Sequence, residues 1–240
     1  MSSSDVTFEI APIYKKQGII FHQAKCIEIF PEGLNHSKPF IKVQSTKSDQ
    51  LDQVYNIECD YIVNATGPKL NFAATPGLGP HGGHTQSVCT VEHAVQTSAV
   101  LDILVEEMKR GLNKTLVVGT GHGMCTCEGA AFEYIFNLEF ELRRRGVRDK
   151  ARIIFLTNEA ELGDFGVGGL NLEMGGFITP SKTLAESLFV ERGVDWILGA
   201  HVHKIDEKTL EYETLDGERS TLSYDFAMLL PPFTGVPLKV

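Results

Sequence analysis

Apolar and polar positions change rhythm most sharply between residues 114 and 146. Residues 114–118 form a run of β-branched side chains and leucine, the pattern of a buried parallel strand. Gly119, Gly121 and Gly123 follow, and they let the chain turn tightly and bring its backbone close to another group. Beyond Cys127, Ala131, Ile135, Leu138 and Leu142 recur at helical spacing, with Phe132, Phe136 and Phe140 widening the stripe. Arg143, Arg144 and Arg145 fall in the last turn, where cations suit the negative end of the helix dipole, and Gly146 supplies a stop.

The same reading extends along the chain. A short helix is expected over 8–16, and strands over 18–22, 25–30, 40–44 and 56–64, with a turn at Pro31-Glu32-Gly33. The stretch 76–84, PGLGPHGGH, reads as a loop and marks the expected domain boundary. A helix over 94–110 places Val95, Ala99, Leu101, Leu104 and Val105 on one stripe. After the central unit come a strand at 152–158, a flexible loop at 163–169 and a helix at 181–192 ended by Gly193. A strand at 194–198, a hairpin from 201–212 and 219–222 turned at Asp216-Gly217, and a last apolar strand at 226–230 complete the chain. Strands alternating with helices indicate an α/β fold, a Rossmann-like dinucleotide-binding domain with a parallel sheet and a β-meander. The expected division is 1–84 as part of one domain, 85–232 as the Rossmann-like domain, and 233–240 as a return to the first.

The chain has 240 residues, enough for a substantial core, with 42% hydrophobic and 22% charged residues, as in ordinary globular proteins. Its net charge of −9 and the lack of a basic stripe argue against nucleic acid as a partner. No apolar run reaches the roughly 18 to 20 residues of a membrane span, and MSSSDVTFEI lacks the regions of a signal peptide. Five cysteines, Cys26, Cys59, Cys89, Cys125 and Cys127, are an odd number without framework spacing, so structural disulfides are not the default.

The Gly-rich turn is in the place where a βαβ unit receives a pyrophosphate, but its spacing is wrong. Met124 occupies the third glycine position counted from Gly119, and Glu159 lies about twice as far along as the usual ~20 residues to a ribose-binding acid. Cys125 and Cys127 sit in that turn instead. A thiol at the first turn of a helix meets unpaired N–H groups, which predicts a lowered pKa. Small buried hydrophobes are the commoner fate of free cysteines, but two in a glycine turn favour chemistry. Zinc fits poorly, because C-x-C is tighter than C-x-x-C and no second close pair completes four ligands. Cys89 and His93 are four apart and would share a helix face if Cys89 opened the helix. His81 and His84 read as solvated loop residues, and His201 and His203 alternate on one strand face.

Five segments together resemble the sulfide:quinone oxidoreductases, a family of tandem Rossmann flavoproteins. They are YIVNATGPKLNF at 61–72, TQSVCTVEHA at 85–94, CEGAAFEY at 127–134, RRRGVRDKARIIFLTNE at 143–159 and MLLPPFTGVP at 228–237. The resemblance spans nearly the whole chain. It implies that Cys127 lies beside the flavin and takes up sulfur, and that Cys89 stands near the sulfide entrance. It implies proton handling by Glu133 and His93, and FAD contacts at Thr66, Gly67 and Pro68. Asp164 stands where some relatives carry histidine, and no role follows for Cys125. No metal is implied.

The resemblance further implies sulfide and quinone as substrates, FAD as cofactor, a membrane surface as docking partner, and an oligomer as an open possibility. A first βαβ unit with the FAD pyrophosphate glycines is expected ahead of residue 5. A second sulfur-bridging cysteine and membrane-docking helices are expected after Val240. The chain is therefore expected to be an internal fragment that holds FAD weakly and is inactive by itself. Two rivals stand beside this reading. One is a type II NADH:quinone dehydrogenase-like protein with NADH on the Gly119 turn. The other is a non-catalytic thiol redox-sensing domain in which Cys125 and Cys127 respond to oxidant.

Overall fold

The computed structural model describes residues 3–5, 7–35 and 38–239; Val240, the end of the expected closing segment, lies outside them. The chain divides into two compact units. One holds Met1–Lys69 and Gly235–Val240, the other Leu70–Thr234.

In the first unit, helix α1 (Ala11–Lys16) precedes strands β1 (Ala24–Phe30), β2 (Phe40–Ser45) and β3 (Val54–Glu58), which pair in that order as an antiparallel sheet. Phe30 stacks on Phe40 across β1 and β2 at 4.4 Å between ring centroids. The expected strand at 18–22 is irregular backbone, and the one at 56–64 is cut short. Its ladder runs out because β2 begins at Phe40, opposite Glu58; Cys59 N–H still donates to the Pro39 carbonyl, and beyond it residues 60–67 join no strand among the described residues. Tyr61 and Val63 are exposed as a result. Strand β4 (Pro68–Leu70) ends this stretch.

The second unit begins with a loop and helix α2 (Val91–Lys109), then strand β5 (Lys114–Thr120), helix α3 (Glu128–Arg144) and strand β6 (Ala151–Leu156). A small hairpin, β7 (Asn171–Met174) with β8 (Phe177–Pro180), leads into helix α4 (Ser181–Arg192) and strand β9 (Val194–Ile197). Strands β10 (His201–Ile205), β11 (Thr209–Glu213) and β12 (Arg219–Ser223) form the meander, and β13 (Phe226–Leu230) and β14 (Phe233–Gly235) follow.

The central sheet is parallel, in the order β13-β5-β6-β9. Strand side chains alternate between its faces, and both faces are covered. Leu116, Val118, Ile153, Phe155, Phe226 and Met228 meet the three helices through Val105, Met108, Ala131, Ile135, Leu142 and Phe189. Val117, Ile154, Leu156, Ala227 and Leu229 pack under the meander against Val202, Ile205 and Leu210. The α/β class with a parallel sheet and a meander is therefore the architecture observed. A turn of polar residues at 206–208 splits the expected strand 201–212, Asp206 N–H donating to the Thr209 carbonyl.

Three details differ from the sequence pattern. On α3, Phe140 is 59% exposed while Glu139 is fully buried. Glu139 accepts from Arg143 and lies 3.3 Å from Arg148 Nε and Arg192 Nη1, so a carboxylate is tolerated at a core position because three guanidiniums face it. On α2, Val95 and Ala99 are exposed, and the buried stripe is His93, Thr97, Leu101, Leu104, Val105 and Met108. The loop 76–84, expected to close the first domain, belongs with the second unit: Leu78 is buried in its core, and Pro76 accepts from Ile205 N–H. No helix among the described residues is long and apolar enough to cross a membrane.

Candidate active site

The turn between β5 and α3 lies at the carboxyl end of the parallel strands, where α/β sheets build their sites. Asn158, just beyond β6, holds it in place. Its N–H donates to Thr120 Oγ1 at 3.0 Å, and its side-chain Nδ2 donates to the carbonyls of Gly123 (3.0 Å) and Cys125 (2.9 Å). The glycines here are needed for internal packing. A Cβ at Gly121 would sit 2.4 Å from Leu78 Cδ1, and one at Gly123 would sit 2.4 Å from His201 Nδ1.

Cys125 is buried, and its thiol lies 3.5 Å from the Pro231 carbonyl. Cys127 is the N-cap residue of α3 and is half-buried. The expected lowering of these thiol pKa values is not found. Burial pushes Cys125 up to about 12, and it also raises Cys127. The helix start does act in the predicted direction, since the Ala130 N–H pulls the Cys127 value down. Desolvation of the thiolate outweighs it, and the nearby Cys89 and Glu128 add repulsion.

Cys89 comes to the same region from the segment before α2, packed with Cys127 against the helix-side core. It does not open the helix. Thr90 is the N-cap, accepting from His93 N–H at 3.2 Å, so Cys89 and His93 are not one helical turn apart. His93 is buried and points elsewhere. Its Nδ1 lies 3.1 Å from Ser87 Oγ, its Nε2 lies 3.0 Å from His81 Nε2, and Phe72 meets it edge-on at 5.9 Å.

Glu133 faces solvent on α3. The acids that stand near the thiols or each other are two that the sequence reading did not select, Glu128 and Glu159, both buried. Glu128 is in the first turn of α3 and bears on both Cys125 and Cys127. Glu159 accepts from Phe165 N–H and from the Thr157 hydroxyl, and burial raises its pKa to about 7, with Glu128 and Asp164 adding to the rise. Glu128 directly follows Cys127 in sequence, which is a local signal; the burial of Glu159 has none.

Thr66, Gly67 and Pro68 belong to the first unit and are exposed. Asn64 Oδ1 accepts from both the N–H and the hydroxyl of Thr66, and Gly67 has φ +74° with nothing within 4 Å of a Cβ placed there. His122, His201 and His203 lie in a row, His201 stacked on His203 at 4.5 Å between centroids and tilted against His122 at 4.7 Å. Among the described residues, no group of three or more His, Cys, Asp or Glu side chains is arranged to hold a metal ion.

No family model matches the chain. It is 36% identical over 231 residues to the sulfide-quinone reductase of Aquifex aeolicus, covering 96% of this chain and 46% of that protein. The crystal structure of the sulfide:quinone oxidoreductase of that hyperthermophilic bacterium superposes with a TM-score of 0.76 at 34% identity, over 98% of this chain and 48% of the other. The chain belongs to the sulfide:quinone oxidoreductase family. It spans about half the length of these sulfide:quinone oxidoreductase relatives. NDH2 of Plasmodium falciparum in complex with NADH has a TM-score of 0.56 at 16% identity, over 90% of this chain and 41% of that one, a likeness of fold alone.

Proposed function

We propose that this chain is the thiol-bearing part of an enzyme that oxidises sulfide to sulfane sulfur and delivers the electrons through FAD to a quinone at a membrane surface. The observation that carries the reading is the meeting of Cys89, Cys125 and Cys127 at the start of α3, with Cys127 half-buried at the helix N-cap. Cys127 takes up sulfur, and Cys89 stands toward sulfide entry. Glu133 at the surface and His93 inside handle protons. Cys125 is too deeply buried and too weakly acidic to serve as the nucleophile.

Burial keeps Cys127 protonated at neutral pH, so the anionic sulfur comes from hydrosulfide. The thiol and hydrosulfide form one S–S bond, one S–H bond breaks, and a proton and two electrons leave. FAD, when bound, supplies the acceptor for those two electrons. The exposed Thr66-Gly67-Pro68 backbone, with its Asn64-pinned turn and no side chain over Gly67, suits contact with such a group. We assign the first unit, 1–69 with 235–240, to an FAD-binding domain and the second, 70–234, to the Rossmann-like domain, so that the division expected at 84 moves to 69.

The NADH-linked alternative is disfavoured by the same site. Leu78 and His201 fill the space against Gly121 and Gly123, and Glu159 spends its oxygens on Phe165 and Thr157. The test is peptide mass spectrometry of the protein after sulfide and a mild two-electron oxidant, beside its visible spectrum. The expected result is sulfur added at Cys127 in steps of one atom. No added sulfur with saturable NADH binding would move the function to an NADH dehydrogenase; thiol oxidation without added sulfur would move it to a redox sensor.

A further inference from the structure

The loop histidine His81, which sequence alone marks only as a solvated residue, makes the outer contact of a buried chain. His93 lies on the first turn of α2 and is 6% exposed, while His81 is exposed. Their Nε2 atoms face each other at 3.0 Å, and His93 Nδ1 continues inward to Ser87 Oγ at 3.1 Å. Ser87 is fully buried, and its Oγ also accepts the backbone N–H of Cys89 at 3.2 Å. Phe72 closes the ring edge of His93, and Thr90 accepts its backbone N–H, so neither competes for the ring nitrogens. The charged group near the ring is Glu92, beside it on α2.

We propose that His81, His93 and Ser87 form a proton relay between solvent and the Cys89 segment, with His81 as its surface port. A contact between two imidazole nitrogens requires one proton and one lone pair, so two arrangements of the pair satisfy it. In one, Ser87 O–H donates to His93 Nδ1 and His93 Nε2–H donates to His81. In the other, His81 donates to His93, and His93 Nδ1–H donates to Ser87 Oγ. Outward transfer moves the Ser87 proton to His93 Nδ1, the His93 Nε2 proton to His81 Nε2, and the His81 Nδ1 proton to water. The proton that restores Ser87 is the one released when the S–H bond breaks in the proposed sulfide oxidation, since the Cys89 backbone N–H only donates a hydrogen bond, so one proton leaves and no charge remains behind. His93 faces a second titratable ring that reaches solvent.

This inference rests on the proposed function only for the source of the proton. Its readout needs neither flavin, sulfide nor quinone. The experiment is nitrogen-15 NMR of the histidine rings, with solvent exchange of the His93 ring N–H, in the native protein and in His81→Gln and His81→Ala. The glutamine variant keeps a hydrogen-bonding group over His93 but cannot pass a proton through it. In the native protein both His93 tautomers are expected. In His81→Gln, exchange at His93 is expected to slow about tenfold or more while the melting temperature holds. Unchanged exchange in His81→Gln, or one fixed His93 tautomer at every pH, would overturn the relay. Loss of the relay signal with sulfur uptake at Cys127 intact would leave the proposed function standing, and the reverse result would leave the relay standing.

Discussion

Glu159 offers the most quantitative check on the electrostatics of this site. It stands at the exit of β6, 7% exposed, with its pKa raised from 4.5 to about 7, chiefly because burial disfavours the charged form. Between these two values the folded protein keeps a proton that the unfolded chain has lost. Stability from this group is therefore complete below the unfolded value and falls as pH rises, until it is lost above about 7. The separation corresponds to roughly 3 kcal/mol. Glu159→Gln removes the titration and retains an acceptor for the Phe165 N–H. Urea unfolding of both proteins, followed by the single tryptophan, Trp196 on β9, would give their difference across pH. At about pH 4 the two should be close. By about pH 8.5 the variant should be the more stable by roughly 3 kcal/mol. A difference that stays constant across this range would refute the reasoning, because Glu159 would then titrate alike in both states.

Two other predictions follow from neighbouring groups. Alkylation of Cys127 should have its half-maximal rate at a pH above the usual ~8.5 of a free cysteine, and Cys125 should stay unmodified until the protein unfolds, as peptide mapping over a pH series would show. A Cys127 that reacts fully at neutral pH would mean that the helix start outweighs burial. Glu139→Ala should destabilise the second unit by about 3 kcal/mol, at the low end for breaking a buried ion pair, since Arg143 is mostly exposed and Arg148 keeps its bonds to the carbonyls of Ala151, Arg192 and Gly193, losing only the carboxylate that faces its Nε. Denaturant titration measures this, and a loss below about 1 kcal/mol would show that the three arginines are solvated without their carboxylate.

Local pattern determined much of this molecule. The 3.6-residue stripe of Ala131, Ile135, Leu138 and Leu142 forms α3 and faces the sheet. Helix α4 runs between the residues expected of it, and β5 and β13 are the apolar runs they read as. These features depend on neighbours within a few residues, which is the range over which sequence periodicity acts. The five segments shared with the sulfide:quinone oxidoreductases were likewise legible, because they are contiguous. Partners far along the chain were not. Whether β3 continued past Glu58 depended on where β2 began, and whether 76–84 joined one unit or the other depended on Leu78 finding a pocket. The thiol at the head of α3 shows the distinction most plainly. Sequence identified a helix N-terminus and its lowering effect, which is present in the Ala130 N–H. Tertiary packing decided the outcome, because burial is set by every chain segment that closes over Cys127, and the cost of desolvating a charge exceeds the gain from one backbone dipole.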